Sequence, residues 1–172
     1  MGKYQYSQFA QATLDQLSGR GAFLTVRNAG IAGIERCNTM TIGWGSLSEY
    51  WGKDIFIAPV RPSRYTFELL KNADEFTVSI PTGGQLDAAL GICGSKSGRD
   101  ADKYALANIK LEEAKTIETP IIAGCDIYYE CKILYFTDLI KEKLPNEVLA
   151  SSYPKDDLHR LFFGEIVACY TK

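Results

Sequence analysis

Near the amino terminus the apolar positions fall at helical spacing. Tyr6, Phe9, Ala10, Thr13, Leu14 and Leu17 share one face of a 3.6-residue period, and the pattern stops near Gly19. The chain is therefore expected to open with an amphipathic helix. The period then shortens. "AFLTV" reads as a strand, and "TMTIGWGSL" alternates strictly, with Met40, Ile42 and Trp44 on one side and Thr39, Thr41, Gly43 and Gly45 on the other. "DIFIAPV" is a continuous apolar run in which Pro59 points to an edge or a bulge. "SRYTFELLKN" predicts a short helix with Ser63 as its N-cap, and "EFTVSIP" alternates again with Phe76, Val78 and Ile80 together.

Further along, "QLDAALGIC" predicts another short helix running into the loop "GSKSGRDADK". A strand near "IKLEEA", a long strand "DIYYECKILYF", a helix-like "NEVLASSY" and a last strand "HRLFFGEIVACY" follow. A doubly wound parallel sheet wants a helix of about 10 to 15 residues after nearly every strand. That is absent, so the pattern predicts a mainly β protein: an antiparallel barrel with short peripheral helices. No linker divides the chain, and residues 1–172 read as a single domain, long enough to bury roughly 70% of the surface its unfolded form exposes.

Charge narrows the partners. The 19 basic and 21 acidic residues give a net charge of −2 and are interspersed along the chain. No basic face is concentrated as phosphate neutralisation requires, which argues against nucleic acid as a partner. The amino terminus lacks the apolar core of a secretory signal, and Tyr6 stands where a myristoylation motif wants Ser or Thr. No apolar stretch approaches the roughly 18 to 20 residues that span a bilayer. A soluble, cytoplasmic protein without membrane attachment is expected.

Cysteines 37, 93, 125, 131 and 169 are odd in number and widely spaced, so reduced and mostly buried thiols are expected. Cys125 and Cys131 point to one face if that segment is a strand. With His159 as the single histidine, no zinc or iron ligand cluster is present.

The same scarcity bears on catalysis. One histidine excludes any mechanism needing two. "GSKSG" at 94–98 has Lys96 where a nucleophile elbow carries serine, and neither GxGxxG nor a P-loop occurs. An enzyme so furnished would rely on a bound organic cofactor, with the protein holding and orienting it. Two stretches favour one. The Thr39/Thr41/Gly43/Gly45 face lacks bulk, which leaves room for a flat ligand and exposes backbone donors and acceptors; a barrel bend needing glycine is the alternative. In "VRPSRYTFELL", Arg61, Ser63, Arg64 and Thr66 are all donors, and no acid appears before Glu68. Helix-start amides with paired guanidinium groups suit an anion such as phosphate, the alternative being a solvated cap.

Six segments taken in order, "NTMTIGWGS", "RPSRYTFELL", "EFTVSIP", "GSKSGRDADKY", "TPIIAGCDIYYEC" and "HRLFFGEIV", resemble the flavin reductase-like proteins, with the flavoredoxin-type group nearest. The resemblance runs from about residue 20 to the last residue. It implies a split β-barrel, a homodimer, non-covalent FMN, and electron passage between NAD(P)H, flavin and an acceptor. By position it implies that Asn38, Thr41, Gly43 and Trp44 lie along the flavin ring, and that Arg61, Ser63, Arg64 and Thr66 hold the phosphate end. Ser97 and Lys103 match residues that close over the flavin, and Lys103 is the candidate donor to its reduced ring. His159 matches a histidine near flavin and nicotinamide, a candidate catalytic residue.

This sequence departs from the family's pattern in two places. Lys53-Asp54 stands where many relatives carry two prolines, and Leu158 precedes His159 where reductases carry Asp. Strict alternation puts Trp44 with Met40 and Ile42 unless a bulge at Gly43 turns it outward. His159, with Leu161 and Phe163 following, also fits a buried core histidine. Three functions remain open on the same residues: an FMN-dependent NAD(P)H oxidoreductase, an FMN electron carrier fed by a redox protein partner, and a binding module without flavin.

Overall fold

The computed structural model describes residues 6–27 and 37–172. The opening helix forms as α1 (Ala10–Gly19), with Tyr6 and Phe9 packed against the core from the turn before it. It ends at Gly19, as the period predicts, and Gly21 closes it. Gly21 has φ +89°, and its amide reaches back to the Gln16 carbonyl at 2.8 Å, the left-handed stop that glycine adopts without strain.

The strands are β1 (Ala22–Arg27), β2 (Cys37–Ile42), β3 (Ser46–Tyr50), β4 (Lys53–Val60), β5 (Glu75–Ile80), β6 (Leu111–Glu112), β7 (Ile121–Ile122), β8 (Ile127–Asp138) and β9 (Arg160–Thr171). Among the described residues four further α-helices are α2 (Tyr65–Leu70), α3 (Asp87–Ser95), α4 (Lys103–Ala107) and α5 (Asn146–Ser152), with a short 3-10 helix at Lys141–Lys143. Seven strands form one antiparallel sheet in the order β2-β1-β5-β8-β9-β4-β3, while β6 and β7 pair separately. The two edge strands, β2 and β3, are consecutive in sequence and separated only by Gly43, Trp44 and Gly45. The sheet must therefore curl until its edges meet, and β2 contacts β4 across the seam. This is an antiparallel β-barrel with short peripheral helices, as the sequence pattern predicts, and a split one, as the resemblance implies. Among the described residues no helix is long and apolar enough to cross a membrane.

Burial follows from alternation inside the barrel. Leu24, Val26, Phe56, Ala58, Phe76, Val78, Ile80, Tyr129 and Phe162 fill its interior. The outer face of β1 and β5 is also buried, because α3 and the β6–β7 pair lie over it, with Phe23, Leu90, Cys93, Ile121, Ile122 and Tyr128 forming a second cluster. Small polar residues on that face are satisfied. The Thr77 hydroxyl donates to the Pro120 carbonyl at 2.6 Å, and the Ser79 hydroxyl accepts from the Ile122 amide at 3.1 Å.

Several expectations are corrected. "TMTIGWGSL" is two strands rather than one, because alternation ends at Ile42 and the chain crosses the barrel seam. Gly45 makes the crossing possible: a Cβ there would sit 3.1 Å from the Phe56 ring. Ser63 does not cap α2, whose N-cap position is Arg64 without a side-chain cap bond, since the Ser63 hydroxyl is engaged elsewhere. The strand near "IKLEEA" shrinks to Leu111–Glu112, and "GSKSGRDADK" leads into α4, which the periodicity did not reveal. All five cysteines are reduced thiols, and four are buried. Cys125, however, lies before β8 in the outer cluster while Cys131 faces the barrel interior, so the two do not share a face.

Candidate functional site

The seam that splits the barrel is also where polar side chains gather. A cavity of about 150 Å³ is lined by Met40, Thr41 and Ile42 of β2, by Gly43 and Trp44 of the crossing, and by Pro59, Arg61, Arg64 and His159. A second, of about 140 Å³, shares Met40 and Arg64 with it and continues toward α4. Its walls carry Asn38, Ser63, Thr66, Ser95 and Ser97, and four cations: Arg64, Lys96, Arg99 and Lys103. No acidic residue lines this second cavity. In a chain of net charge −2 that is a local concentration of cations, of which Arg99 is paired with Glu68 at 2.5 Å just outside the cavity.

Edge position explains the first cavity's backbone. β2 pairs only with β1, so one side of it is free. The Thr39 carbonyl points to that free side, because it accepts from Lys103 Nζ. In an antiparallel strand the N–H and C=O of alternate residues face the same way, so those of Thr41 face the seam too. On the opposing wall β3 reaches only to Ile57 of β4, and Pro59, which has no N–H to leave unpaired, sits beyond it.

Lys103 is placed by its own helix. The Asp102 side chain accepts from the Tyr104 and Ala105 amides at 3.0 and 3.1 Å, capping α4 and aiming its first residue inward. The side chain is 3% exposed, yet among the described residues Thr39 is the ammonium's one hydrogen-bond partner. An ammonium carries three donors. Burial pulls its pKa below the usual lysine range, and the Arg64 charge acts in the same direction. Cys93, beside it, is held as a thiol because burial raises its pKa.

Other predicted residues divide into those that face the cavities with donors to spare and those already committed. Asn38 donates to the Thr66 hydroxyl at 2.7 Å, tying β2 to α2. Gly98 must be glycine for this to hold, since a Cβ there would fall 2.2 Å from Asn38 Oδ1. The Thr41 hydroxyl donates to the Leu90 carbonyl at 2.6 Å. Ser97 organises its own loop, its hydroxyl accepting from the Arg99 amide at 3.1 Å. Arg64 makes one long bond, to the Gly94 carbonyl at 3.2 Å, and lines both cavities.

Arg61 and Ser63 are occupied by the segment after α5. Arg61 donates to the Asp157 and Ser152 carbonyls at 3.0 and 2.9 Å, and the Ser63 amide and hydroxyl donate to the Asp157 carboxylate at 3.2 and 2.5 Å. The structure thus separates the four donors read from the sequence. Ser63, Arg64 and Thr66 line the cationic cavity and Arg61 lines the first, but Arg61 and Ser63 are also bonded to a neighbouring loop.

Trp44 is not a core residue. It is 50% exposed, beyond the end of β2, with its ring 4.9 Å from that of His159 and edge-on to Tyr153 at 6.5 Å. His159 is buried, and its Nδ1 lies 2.8 Å from the Tyr153 hydroxyl. Burial, with the charges of Arg61 and Arg64, lowers its pKa to about 4 against a smaller opposing effect of Asp157, so the ring is neutral at pH 7. Residues that the sequence reading missed are Met40, Pro59, Arg99, Tyr153 and Asp157. "GRDADK" contained the signal for Arg99, but the Asp157 contact joins segments 94 residues apart and has no local signature.

Comparison with known proteins places this geometry among relatives. Residues 32–172 match the model of the flavin reductase like domain. An uncharacterized protein of Archaeoglobus fulgidus is 28% identical over 137 residues, 80% of this chain and 67% of the relative. The crystal structure of an FMN-binding protein from Thermus thermophilus, with bound 1-cyclohex-2-enone, superposes with a TM-score of 0.66 at 26% identity, covering 88% of this chain and 69% of the other. Flavoredoxin from Methanosarcina acetivorans gives a TM-score of 0.64 at 24% identity, over 88% and 68% of the two chains, and likewise shares the fold.

Proposed function

The chain belongs to the flavin reductase-like family, and from that premise we propose that it is an FMN-dependent oxidoreductase using NAD(P)H as electron donor. The observation that carries the reading is the cavity lined by Arg64, Lys96, Arg99 and Lys103 without an acid, which shares Met40 and Arg64 with the one along the free edge of β2. A phosphorylated planar ligand suits a cluster of cations beside an open strand edge. Arg64 and the Thr66 hydroxyl would hold its phosphate, with Ser97 and Arg99 at the mouth. Lys103 would give its spare donors to an acceptor of the ligand, and the β2 edge would present backbone groups to the ring. Bound FMN would supply a two-electron centre that takes hydride from NAD(P)H and passes electrons to an acceptor.

What the chain itself contributes is positioning and electrostatics. The buried Lys103 ammonium would stabilise negative charge on a ligand without reorganising. The neutral imidazole of His159 would act as a hydrogen-bonding wall rather than as an acid at pH 7. Trp44, half-exposed beside it, offers a flat apolar surface to a second ring. No side-chain nucleophile is needed.

A homodimer forms part of this reading. Tyr50, Trp51, Tyr135 and Phe163 make an aromatic cluster with ring centroids 5.5 to 6.3 Å apart. Trp51 is 62% exposed, and Leu134, Phe136 and Ile140 extend the exposed apolar surface. Surface of that kind is what subunit interfaces are made from.

The test is anaerobic. The protein is loaded with FMN, and NADH or NADPH is added while the flavin absorbance is followed. Bleaching by either supports the proposal, whereas bleaching by dithionite alone removes the nicotinamide donor and leaves a flavin-holding electron carrier.

A further inference from the structure

His159, at the end of the segment that begins at Ser152, lines the first cavity, and specific polar contacts tie that segment to the rest of the molecule. The Arg61 guanidinium bonds the Ser152 and Asp157 carbonyls at 2.9 and 3.0 Å, and lies 5.0 Å from the Tyr153 ring centre. The Asp157 carboxylate closes the loop from the other side on the Ser63 amide and hydroxyl. Between these anchors Asp156 adopts φ +56°, a region Asp enters more readily than most residues with a side chain, and its carboxylate pairs with Lys141 at 2.6 Å. Tyr153 in turn bonds His159 at 2.8 Å, and Trp44 leans on both rings.

We infer that Arg61, Ser63 and Asp157 form a strap whose role is to hold the His159 wall in place, and that Arg61 and Ser63 are positioning residues rather than phosphate ligands. The geometry gives each Arg61 and Ser63 bond a partner within the protein, and both cavities keep their cations without them, through Arg64 and Lys103. For what the crevice binds, the inference rests on the flavin reading above.

The single histidine makes the strap directly measurable, because His159 gives the only imidazole resonance of the chain. The groups acting on it are Arg61 and Arg64, which lower its pKa, Asp157, which raises it, and burial, which lowers it most. Removing the Asp157 charge alone would therefore move the titration midpoint down. Releasing the wall to water would move it up. Asp157→Ala thus separates the two roles by sign, and Ser63→Ala loosens the strap without changing any charge.

In a carbon-detected or proton–carbon NMR titration of the wild-type apoprotein, the His159 midpoint is expected at about 4. In both variants it is expected to rise by about one pH unit or more, toward the solvated value near 6.5. FMN affinity of Asp157→Ala, from a fluorescence-quenching titration, is expected to stay within about threefold of wild type. A midpoint that is unchanged or lower in both variants overturns the strap. So does a loss of FMN affinity beyond about tenfold in Asp157→Ala with the His159 midpoint unmoved, which would put this corner in the ligand site. A wild-type protein indifferent to FMN refutes the flavin reading, and the His159 titration still decides the strap.

Discussion

Lys103→Met separates ligand binding from folding more sharply than any other substitution in this site. The side chain is 3% exposed, and among the described residues its ammonium meets one acceptor, the Thr39 carbonyl. In the apoprotein the two consequences of removing it oppose each other. Losing the carbonyl bond costs roughly 1 kcal/mol, whereas removing a buried and incompletely paired charge relieves a desolvation penalty of several kcal/mol that the single bond offsets only in part. Methionine fills nearly the same volume. The apoprotein is therefore expected to be as stable as wild type or slightly more so, with a Tm unchanged or raised by roughly 2–4 °C per kcal/mol gained.

Binding should move the other way. A charge-assisted hydrogen bond to a ligand acceptor contributes about 1.5–3 kcal/mol, which is a loss of roughly 10- to 150-fold in FMN affinity. The assay pairs thermal unfolding of the apoprotein by circular dichroism with flavin fluorescence quenching at pH 7. The lowered pKa adds a pH signature. Both folded and unfolded chains are protonated well below the folded pKa, so the penalty is fully present there. As pH rises from the folded pKa toward 10.5 the unfolded chain holds the extra proton, and wild-type apoprotein stability rises, a slope absent in Lys103→Met. A variant destabilised by more than about 2 kcal/mol with FMN affinity intact would make Lys103 a structural strut and refute the reasoning.

Arg64→Ala should weaken FMN by roughly 10- to 150-fold, as for one charge-assisted contact, while apoprotein Tm changes little, because its one protein bond is long at 3.2 Å; equal titration curves would contradict this. Glu130→Gln should destabilise the fold by about 2–4 kcal/mol in urea unfolding. Its buried carboxylate accepts from the Lys115 and Thr116 amides and the Thr116 and Tyr170 hydroxyls at 2.5 to 2.7 Å, and an amide nitrogen cannot accept those bonds. Burial alone would raise its pKa, but the hydrogen bonds led by Thr116 outweigh it and hold the group below the usual 4.5. The wild-type contribution is thus present above pH 4.5 and lost as pH falls through the lower folded pKa, a loss the variant should not show. Trp51→Glu, in the exposed aromatic cluster, should shift sedimentation from dimer to monomer; a wild-type monomer would refute the homodimer.

Where local pattern governs, the sequence was a good guide. Alternation located β5, the unbroken apolar run located β4, and the helical period located α1, each because one face must be buried. "TMTIGWGSL" misled for the complementary reason. Its alternation continues through a place where the chain leaves one strand and crosses the barrel seam, and closure of a sheet is decided by partners far along the chain. Trp44 follows from the same fact: once β2 ends at Ile42, the period that would put Trp44 in the core has no force. The site was half legible. Asn38, Arg64, Thr66 and Lys103 could be placed by motif, and the structure brings them to one cavity. The engagement of Arg61 and Ser63 by Asp157 could not be seen, because a donor in a sequence carries no mark of which acceptor folding will bring to it.

The central claim is that the seam holds a phosphorylated flavin by its phosphate, and a paired titration with FMN and riboflavin tests it most directly. The two ligands share the ring and differ in the anion. FMN should bind at least about tenfold more tightly, as expected for charge-assisted contacts from Arg64 and its neighbours, and the difference should shrink at high salt. Equal affinities, or no binding of either, would contradict the account.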